Sequence, residues 1–386
     1  MTIAEQRVIP EQSPEAAAPD RLRVLHVHSG NLWGGVETLL VALAAERDRC
    51  ARLHPEYALC FDGALRERLA AAGVRVYALG EARWRSPGRI LEARRRLGAV
   101  LSDGGYDAVI THSMWAHGLF APVIRRAAPL VYWAHDYVDG KHWLQRWARL
   151  TPPELVIANS RFTAESVRTI YPDVPARVLH YPLSLRQAPH AMREPIRSAF
   201  GTPPGATVIV QVSRLEAWKG HEILLDALAR LADRNDWQCW IVGGAQRPAE
   251  HAYLVSLQRR AAASGIAERV RFVGHRNDVP AILTAADVFC QPNASPEPFG
   301  IVLVEALAAG LPVVAAASGG ACEIVNASCG ELAAPGDPAA RRRLGSGGPA
   351  RAAVLCDPGH QLHALAAALG SVRPHVCRTA MTSHRS

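Results

Sequence analysis

Two glutamates bracket the stretch of this chain with the most chemistry in it. In Ser295-Pro-Glu-Pro-Phe-Gly-Ile-Val-Leu-Val-Glu305, seven residues separate Glu297 from Glu305. Pro296 and Pro298 hold the first acid in extended backbone, because proline fixes its own φ and biases its predecessor away from helix. Gly300 allows a tight turn, Ile301 to Ala309 reads as a buried helix, and Gly310 with Pro312 reads as its stop. Glu297 therefore precedes a helix N-terminus and Glu305 sits inside the helix among apolar neighbours. A carboxylate there is costly without a partner. A capping acid plus a structural ion pair is the plain reading; a pair of ligands for a hydroxyl-rich molecule is the functional one.

Other reactive types stand at the ends of strand-like runs. Arg214 and Lys219, in Ser213-Arg-Leu-Glu-Ala-Trp-Lys-Gly220, follow the run Val208–Val212. A guanidinium fork and an ammonium before a helix suit a diphosphate, and a solvated basic loop is the alternative. Gly34 and Gly35, in Gly30-Asn-Leu-Trp-Gly-Gly-Val-Glu37, lie between a strand and a helix, where a backbone can approach an anion. His135, with Asp136, ends the run Val131–Ala134. Gly319-Gly320-Ala-Cys-Glu323 follows Val313–Ala315 and offers N–H groups and one more acid.

These groups need a scaffold of alternating strands and helices. Strands are expected at Arg23–Val27, Tyr57–Cys60, Val74–Ala78, Ala108–Thr111, Val131–Ala134, Leu155–Ala158 and Arg177–Leu179. A second series runs through Val208–Val212, Trp240–Val242, Val270–Val273, Val288–Gln291 and Val313–Ala315. Such alternation implies parallel sheets covered by helices on both faces. The expected organisation is a leader at 1–20, one doubly wound domain at 21–190, a Pro-rich linker at 191–205, a second domain at 206–370 and a tail at 371–386. Ligands of such sheets bind at strand carboxyl ends, here in the cleft between the domains.

Composition narrows the class. The chain has 386 residues, 49% hydrophobic and 20% charged, with a formal net charge of +8. Its longest apolar stretch is broken by Glu305, Gly310 and Pro312, too early to cross a bilayer. The leader has no apolar core of the signal-peptide kind. The eight cysteines form no CxxC pair and read as reduced thiols of a cytoplasmic protein, with Cys322 and Cys329 as packing residues. Arg83, Arg85, Arg89, Arg94, Arg95 and Arg96 crowd one helix-like segment, which fits either a solvated helix face or peripheral contact with the anionic inner face of a membrane. No pattern supports nucleic-acid binding. No Asp-x-Asp and no zinc spacing occurs, so no metal site is expected, and a bound diphosphate must be neutralised by Arg214, Lys219 and helix dipoles.

Together these residues resemble the retaining glycosyltransferases of family 4 (group 1), which have the GT-B fold of two Rossmann-like domains facing across a cleft. The resemblance spans roughly Leu22 to Asp337 and is strongest in Glu297…Glu305, set in PEPFGIVLVEALAAGLPVVA. SRLEAWKG, GGVE, AHD, Phe272-Val-Gly274 and Ala158-Asn-Ser160 also match. It implies that the second domain binds a UDP- or GDP-linked sugar, with Glu305 on the ribose hydroxyls and Gly274 near the base. Glu297 would hold the transferred hexose, and the N–H groups of Phe299, Gly300 and Ile301 would face sugar and diphosphate. Arg214 and Lys219 would grip the diphosphate, Gly34 and Gly35 would close over it, and His135 would touch the sugar from the other domain. The acceptor would be a saccharide or a lipid-linked glycan. A sugar-nucleotide epimerase or hydrolase, and a non-catalytic nucleotide-sugar binder, are the alternatives. One departure stands out: Ala339-Ala340 runs straight into Arg341-Arg-Arg-Leu-Gly345, where the family has a helix before an Arg-Leu-Gly turn. The tail also lacks a final helix of the kind that braces the first domain.

Overall fold

The computed structural model describes residues 21–31, 33–83, 85–185, 187–330 and 338–372, without side chains for 338–346. The expected leader and all but two residues of the tail lie outside the described residues. The first sheet has seven strands, β1 (Leu22–His28), β2 (Leu53–Leu59), β3 (Val76–Ala78), β4 (Ala108–Thr111), β5 (Leu130–Ala134), β6 (Leu155–Ala158) and β7 (Ala176–Val178). The second has five, β8 (Thr207–Val212), β9 (Trp237–Val242), β10 (Val270–Gly274), β11 (Val288–Gln291) and β12 (Val313–Ala315). The pairing within both sheets is parallel. β5 and β9 are buried at every position, because helices cover both faces; that is why β5 reads as an unbroken apolar run and β9 as one interrupted only by Gln238.

Strand order places the chemistry. It runs β3-β2-β1-β4-β5-β6-β7 in one sheet and β10-β9-β8-β11-β12 in the other. The chain winds outward in one direction from β1 and from β8, then reverses, so a crevice opens between β1 and β4 and between β8 and β11. The loops that follow those strands carry the candidate residues.

The helix Ile301–Ala308 ends as its sequence predicts. Gly310 has φ +78°, its N–H donates to Leu307 O (3.0 Å), and Leu311 N–H donates to Ala306 O (3.0 Å). These are the two bonds of a Schellman motif.

Three segments depart from expectation. The linker region 191–205 contains a helix, Arg193–Ala199. Its Arg193 donates to the carbonyls of Ala285 (3.0 Å) and Ala286 (2.8 Å) at the end of the helix Val279–Ala285, and Arg193 and Arg197 both pair with Asp287 (2.7 and 3.1 Å). Two cations on a helix C-terminus satisfy its orphan carbonyls and its dipole. Next, Arg341-Arg-Arg-Leu-Gly345 lies inside one helix, Pro338–Cys356, and marks no turn. Gly347 and Gly348 let that helix touch backbone: a Cβ would lie 2.2 Å from Ser328 O at the first and 2.6 Å from Leu307 O at the second. Finally, the helix Pro358–Gly370 leaves the second domain and packs Leu362 and Leu365 against Val24, Leu43 and Leu53 of the first. A brace on the first domain is thus supplied upstream of the tail. The two crossings between domains meet where Leu183 N–H donates to Cys356 O (3.1 Å).

The arginine tract is largely committed. Arg83 and Arg89 share Glu81 (3.0 Å each), Arg96 pairs with Glu92, and Arg94 donates to Leu119 O (2.7 Å). This favours the solvated face over a lipid-binding one.

Burial raises the Asp287 carboxyl, but the Val208 amide, Arg193 and Arg197 outweigh it and hold it below the usual carboxylate range. Its stabilising effect is therefore complete above that range and is lost as pH falls through it. Asp287→Asn is expected to cost about 3 kcal/mol, read as a lower urea midpoint at neutral pH. A loss under about 0.5 kcal/mol would show that the helix carbonyls alone hold both arginines.

Candidate active site in the interdomain cleft

The second domain supplies most of the charge. After β8 the chain passes Arg214 and Lys219 and turns at Gly220, whose φ is +72° and where a Cβ would lie 1.8 Å from Pro292 O. Only glycine permits that approach. Ala294 N–H then donates to Trp218 O (2.8 Å), fastening the loops after β8 and β11 together. The result is an ion pair between Lys219 Nζ and Glu297 Oε2 at 2.7 Å, with the side chains 12% and 9% exposed. Asn293 Nδ2 donates to the same oxygen (2.6 Å), and Gln291 Nε2 donates to Asn293 Oδ1 (2.6 Å). Lys219 also lies over the Trp218 ring at 3.9 Å. Arg214 pairs with Glu216 (3.1 Å), which accepts from Trp218 Nε1 (2.8 Å). Both cations expected on a diphosphate thus pair with carboxylates of their own domain.

The Gly319–Gly320 turn shapes the loop of Glu297. Glu297 and Gly319 form a parallel bridge, and Gly320 N–H donates to Glu297 O (2.7 Å). A Cβ at Gly319 would lie 2.3 Å from that same oxygen. The acid of this segment, Glu323, reaches the other domain and accepts from the N–H groups of Arg161 (3.0 Å) and Phe162 (3.1 Å), which open the helix Arg161–Val167. Cys329 is buried as expected, whereas Cys322 is exposed.

Gly300 takes φ +100° and starts the helix that carries Ile301 and Glu305. Phe299 is buried against the rings of His180 (5.4 Å) and Tyr181 (5.0 Å) of the first domain. Glu305 has no ionic or hydrogen-bonding partner among the described residues, and burial pushes its carboxyl up to about 7. Gly274 ends β10 with φ +77° and accepts from Gly243 N–H (2.9 Å).

On the opposite wall Gly34 is extended and Gly35 opens the helix Gly35–Ala45, so neither needs a left-handed φ. Space is the reason at Gly35, where a Cβ would lie 3.3 Å from Ile301 Cδ1 across the cleft. Trp33 and Gln246 exchange two long contacts (3.4 and 3.3 Å), again between domains.

His135 differs from expectation. It is 5% exposed, and both ring nitrogens are taken, Nε2 by His112 Nδ1 (3.0 Å) and Nδ1 by Tyr181 Oη (2.7 Å). His112 Nε2 in turn meets His26 Nδ1 (2.8 Å). Asn159 Nδ2 donates to His135 O (3.0 Å) and to Tyr181 Oη (3.1 Å). The tyrosine proton is then left for His135 Nδ1, which puts the proton of His135, His112 and His26 on Nε2 in turn. Burial holds all three imidazoles far below their usual pKa, His26 at about 3, so they are neutral. Asp136, beside the chain, opens to the cleft. Burial raises its carboxyl, Arg214 opposes that, and Glu216 and Glu297 add to it. The residues missed from sequence are His26, His112, Tyr181, Gln291 and Asn293, while Asn159 stands in the matched Ala158-Asn-Ser160 with no role assigned from sequence. His112 directly follows β4 and Asn293 stands two residues beyond the end of β11, so the rule that flagged His135 could have found them.

No group of three or more His, Cys, Asp or Glu among the described residues could hold a metal ion. No described helix is long and apolar enough to cross a membrane.

This geometry has close counterparts. Residues 192–343 match the family of Glycosyl transferases group 1, and residues 33–185 match Glycosyltransferase Family 4. A D-inositol 3-phosphate glycosyltransferase of Mycobacterium sp. (strain KMS) is 33% identical over 245 residues, covering 58% of this chain and 54% of that protein. A phosphatidyl-myo-inositol mannosyltransferase of Mycobacterium leprae is 42% identical over 114 residues, covering 29% and 28%. The matches thus span about half the length, or less, of these relatives. Anabaena HepE, solved in complex with UDP and glucose, superposes with a TM-score of 0.78 at 27% identity, over 91% of this chain and 100% of that one. The fold is GT-B, and the chain belongs to the group 1, family 4 glycosyltransferases.

The buried pair gives a direct expectation. In a double-mutant cycle of Lys219→Met and Glu297→Gln, the coupling energy is expected to be about 2 kcal/mol, measured by urea unfolding. Additivity within about 0.5 kcal/mol would show that Asn293 and Trp218 hold each partner alone.

Proposed function

We propose that this chain transfers a hexose, with retention of anomeric configuration and without a metal ion, from a UDP- or GDP-linked donor to a hydroxyl of a saccharide or lipid-linked glycan. The observation that carries the reading is the Lys219–Glu297–Asn293 cluster at the mouth of the helix Ile301–Ala308, at the point where strand order reverses. The complex of HepE with UDP and glucose supports a sugar nucleotide as ligand, and the named transferases support the reaction class.

In this reading the donor diphosphate lies against the N-terminus of that helix, where free N–H groups and the dipole favour negative charge. Arg214 and Lys219 turn part of their charge from Glu216 and Glu297 to the phosphates. Glu297 then orients the sugar and Glu305 accepts from the ribose hydroxyls. Bond cleavage builds positive charge on the sugar and negative charge on the leaving diphosphate, so charges placed beforehand lower the barrier. The leaving phosphate oxygen takes the acceptor's proton on the same face, which keeps the configuration. His135, with both nitrogens committed, acts as a fixed wall of the sugar site and carries no proton in the reaction.

The test is calorimetry with UDP, GDP and their sugars against wild type and Glu305→Ala. Wild type is expected to bind one nucleotide series and the variant to lose at least about tenfold; no binding by wild type, or equal binding by the variant, removes the donor assignment. Release of free nucleotide without an acceptor would point to a hydrolase.

Glu305 also sets a pH dependence. The ribose needs the ionised carboxylate, and the free site holds its proton up to about pH 7. Affinity for UDP-glucose or GDP-mannose, whose diphosphate esters do not titrate there, is expected to fall about tenfold per pH unit below 7. Glu305→Gln should flatten that profile. A flat wild-type profile between pH 5 and 7 would contradict the ribose role.

A further inference from the structure

We propose that Gln291 and Asn293 are positioning residues that fix which oxygen of Glu297 meets the transferred sugar; this rests on the reading that Glu297 binds that sugar. Glu297 Oε2 receives two donors, Lys219 Nζ at 2.7 Å and Asn293 Nδ2 at 2.6 Å. Among the described residues no hydrogen bond reaches Oε1. That oxygen is the one left for the hydroxyls of the sugar.

The polarity of the chain behind Oε2 is forced. A carboxylate only accepts, so Asn293 must turn its amide nitrogen to Glu297. Its carbonyl then faces Gln291, which must donate, and Nε2 does so at 2.6 Å. The series ends at Gln291 Oε1, which is buried and has no partner. An orphaned buried carbonyl costs stability, and an apolar side chain of similar size would fill the place without that cost. Packing does not explain the glutamine; a donor aimed at Asn293 does.

Gln291 is also well placed to transmit rigidity. It is the last residue of β11, in register with Ala315 of β12, and is 2% exposed. Asn293 and Glu297 stand on the irregular segment beyond it. Two amides therefore carry the fixed direction of a strand into a loop, and a carboxylate held this way meets one orientation of hydroxyls better than another.

The experiment uses the whole chain with UDP and UDP-glucose, and with GDP and GDP-mannose, by calorimetry. Gln291→Glu has the same shape but can only accept, so Asn293 would turn its nitrogen inward and point its carbonyl at Glu297. Expected is a loss of about tenfold or more in affinity for the sugar nucleotide, with affinity for the free nucleotide unchanged. Gln291→Met, which removes the donor without reversing it, should lose less. Asn293→Asp supplies a second readout: two carboxylates must share a proton, so its sugar-nucleotide affinity should fall as pH rises above that of the shared proton, beyond any dependence of wild type. If Gln291→Glu does not fold, this profile decides. Equal affinities for Gln291→Glu and Gln291→Met, or an unaltered profile for Asn293→Asp, would overturn the proposal provided Glu297→Gln itself loses sugar-nucleotide affinity. If Glu297→Gln binds like wild type, the sugar role of Glu297 fails first.

Discussion

The buried ion pair of Lys219 and Glu297 organises the site. Removing two charges from water is expensive, and their attraction repays it only when the remaining valences are satisfied. Here Asn293 fills one and the Trp218 face fills another. Each partner depends on a glycine turn. Gly220 lets the loop after β8 approach Pro292, and Gly319 lets the loop after β12 lie against Glu297. The pair thus binds the loops after β8, β11 and β12 into one surface.

That surface belongs to both domains. Ser160 Oγ donates to Pro298 O (2.6 Å), Glu323 caps the helix Arg161–Val167, and Phe299 fills the space beside Tyr181. Tyr181 also terminates the imidazole series through His135 and His112. The segment that carries Glu297 is therefore held from one side by an ion pair and from the other by hydroxyl and ring contacts. The neutral histidines suit this place, since three buried imidazolium ions in contact would repel one another.

Sequence reasoning found what is local and missed what is spatial. All twelve strands, the extended Glu297 and the Gly310 stop follow from proline, glycine and apolar runs whose effects act within a few residues. The pairing of Arg214 with Glu216 and of Lys219 with Glu297 was hidden, because a cation at a strand end looks alike whether it waits for a phosphate or holds an acid. His112 escaped notice for the same reason: its neighbours Trp133 and His26 come from other strands. The linker misled because Pro195 suits a helix's first turn as well as a loop, and only Asp287, far along the chain, settles which. Helix Pro338–Cys356 was obscured by Gly347 and Gly348, which look like breakers and serve as contact points.

The chain crosses between its domains twice, and the crossings are joined where Leu183 donates to Cys356. A single connecting strand would act as a swivel, with free twist about its own length. Two strands tied side by side act as a door hinge: they resist twist and leave opening and closing as the one easy rotation. The contacts of Gly35 with Ile301 and of Ser160 with Pro298 then lie on one arc, and a rotation about that hinge would part and restore both in register.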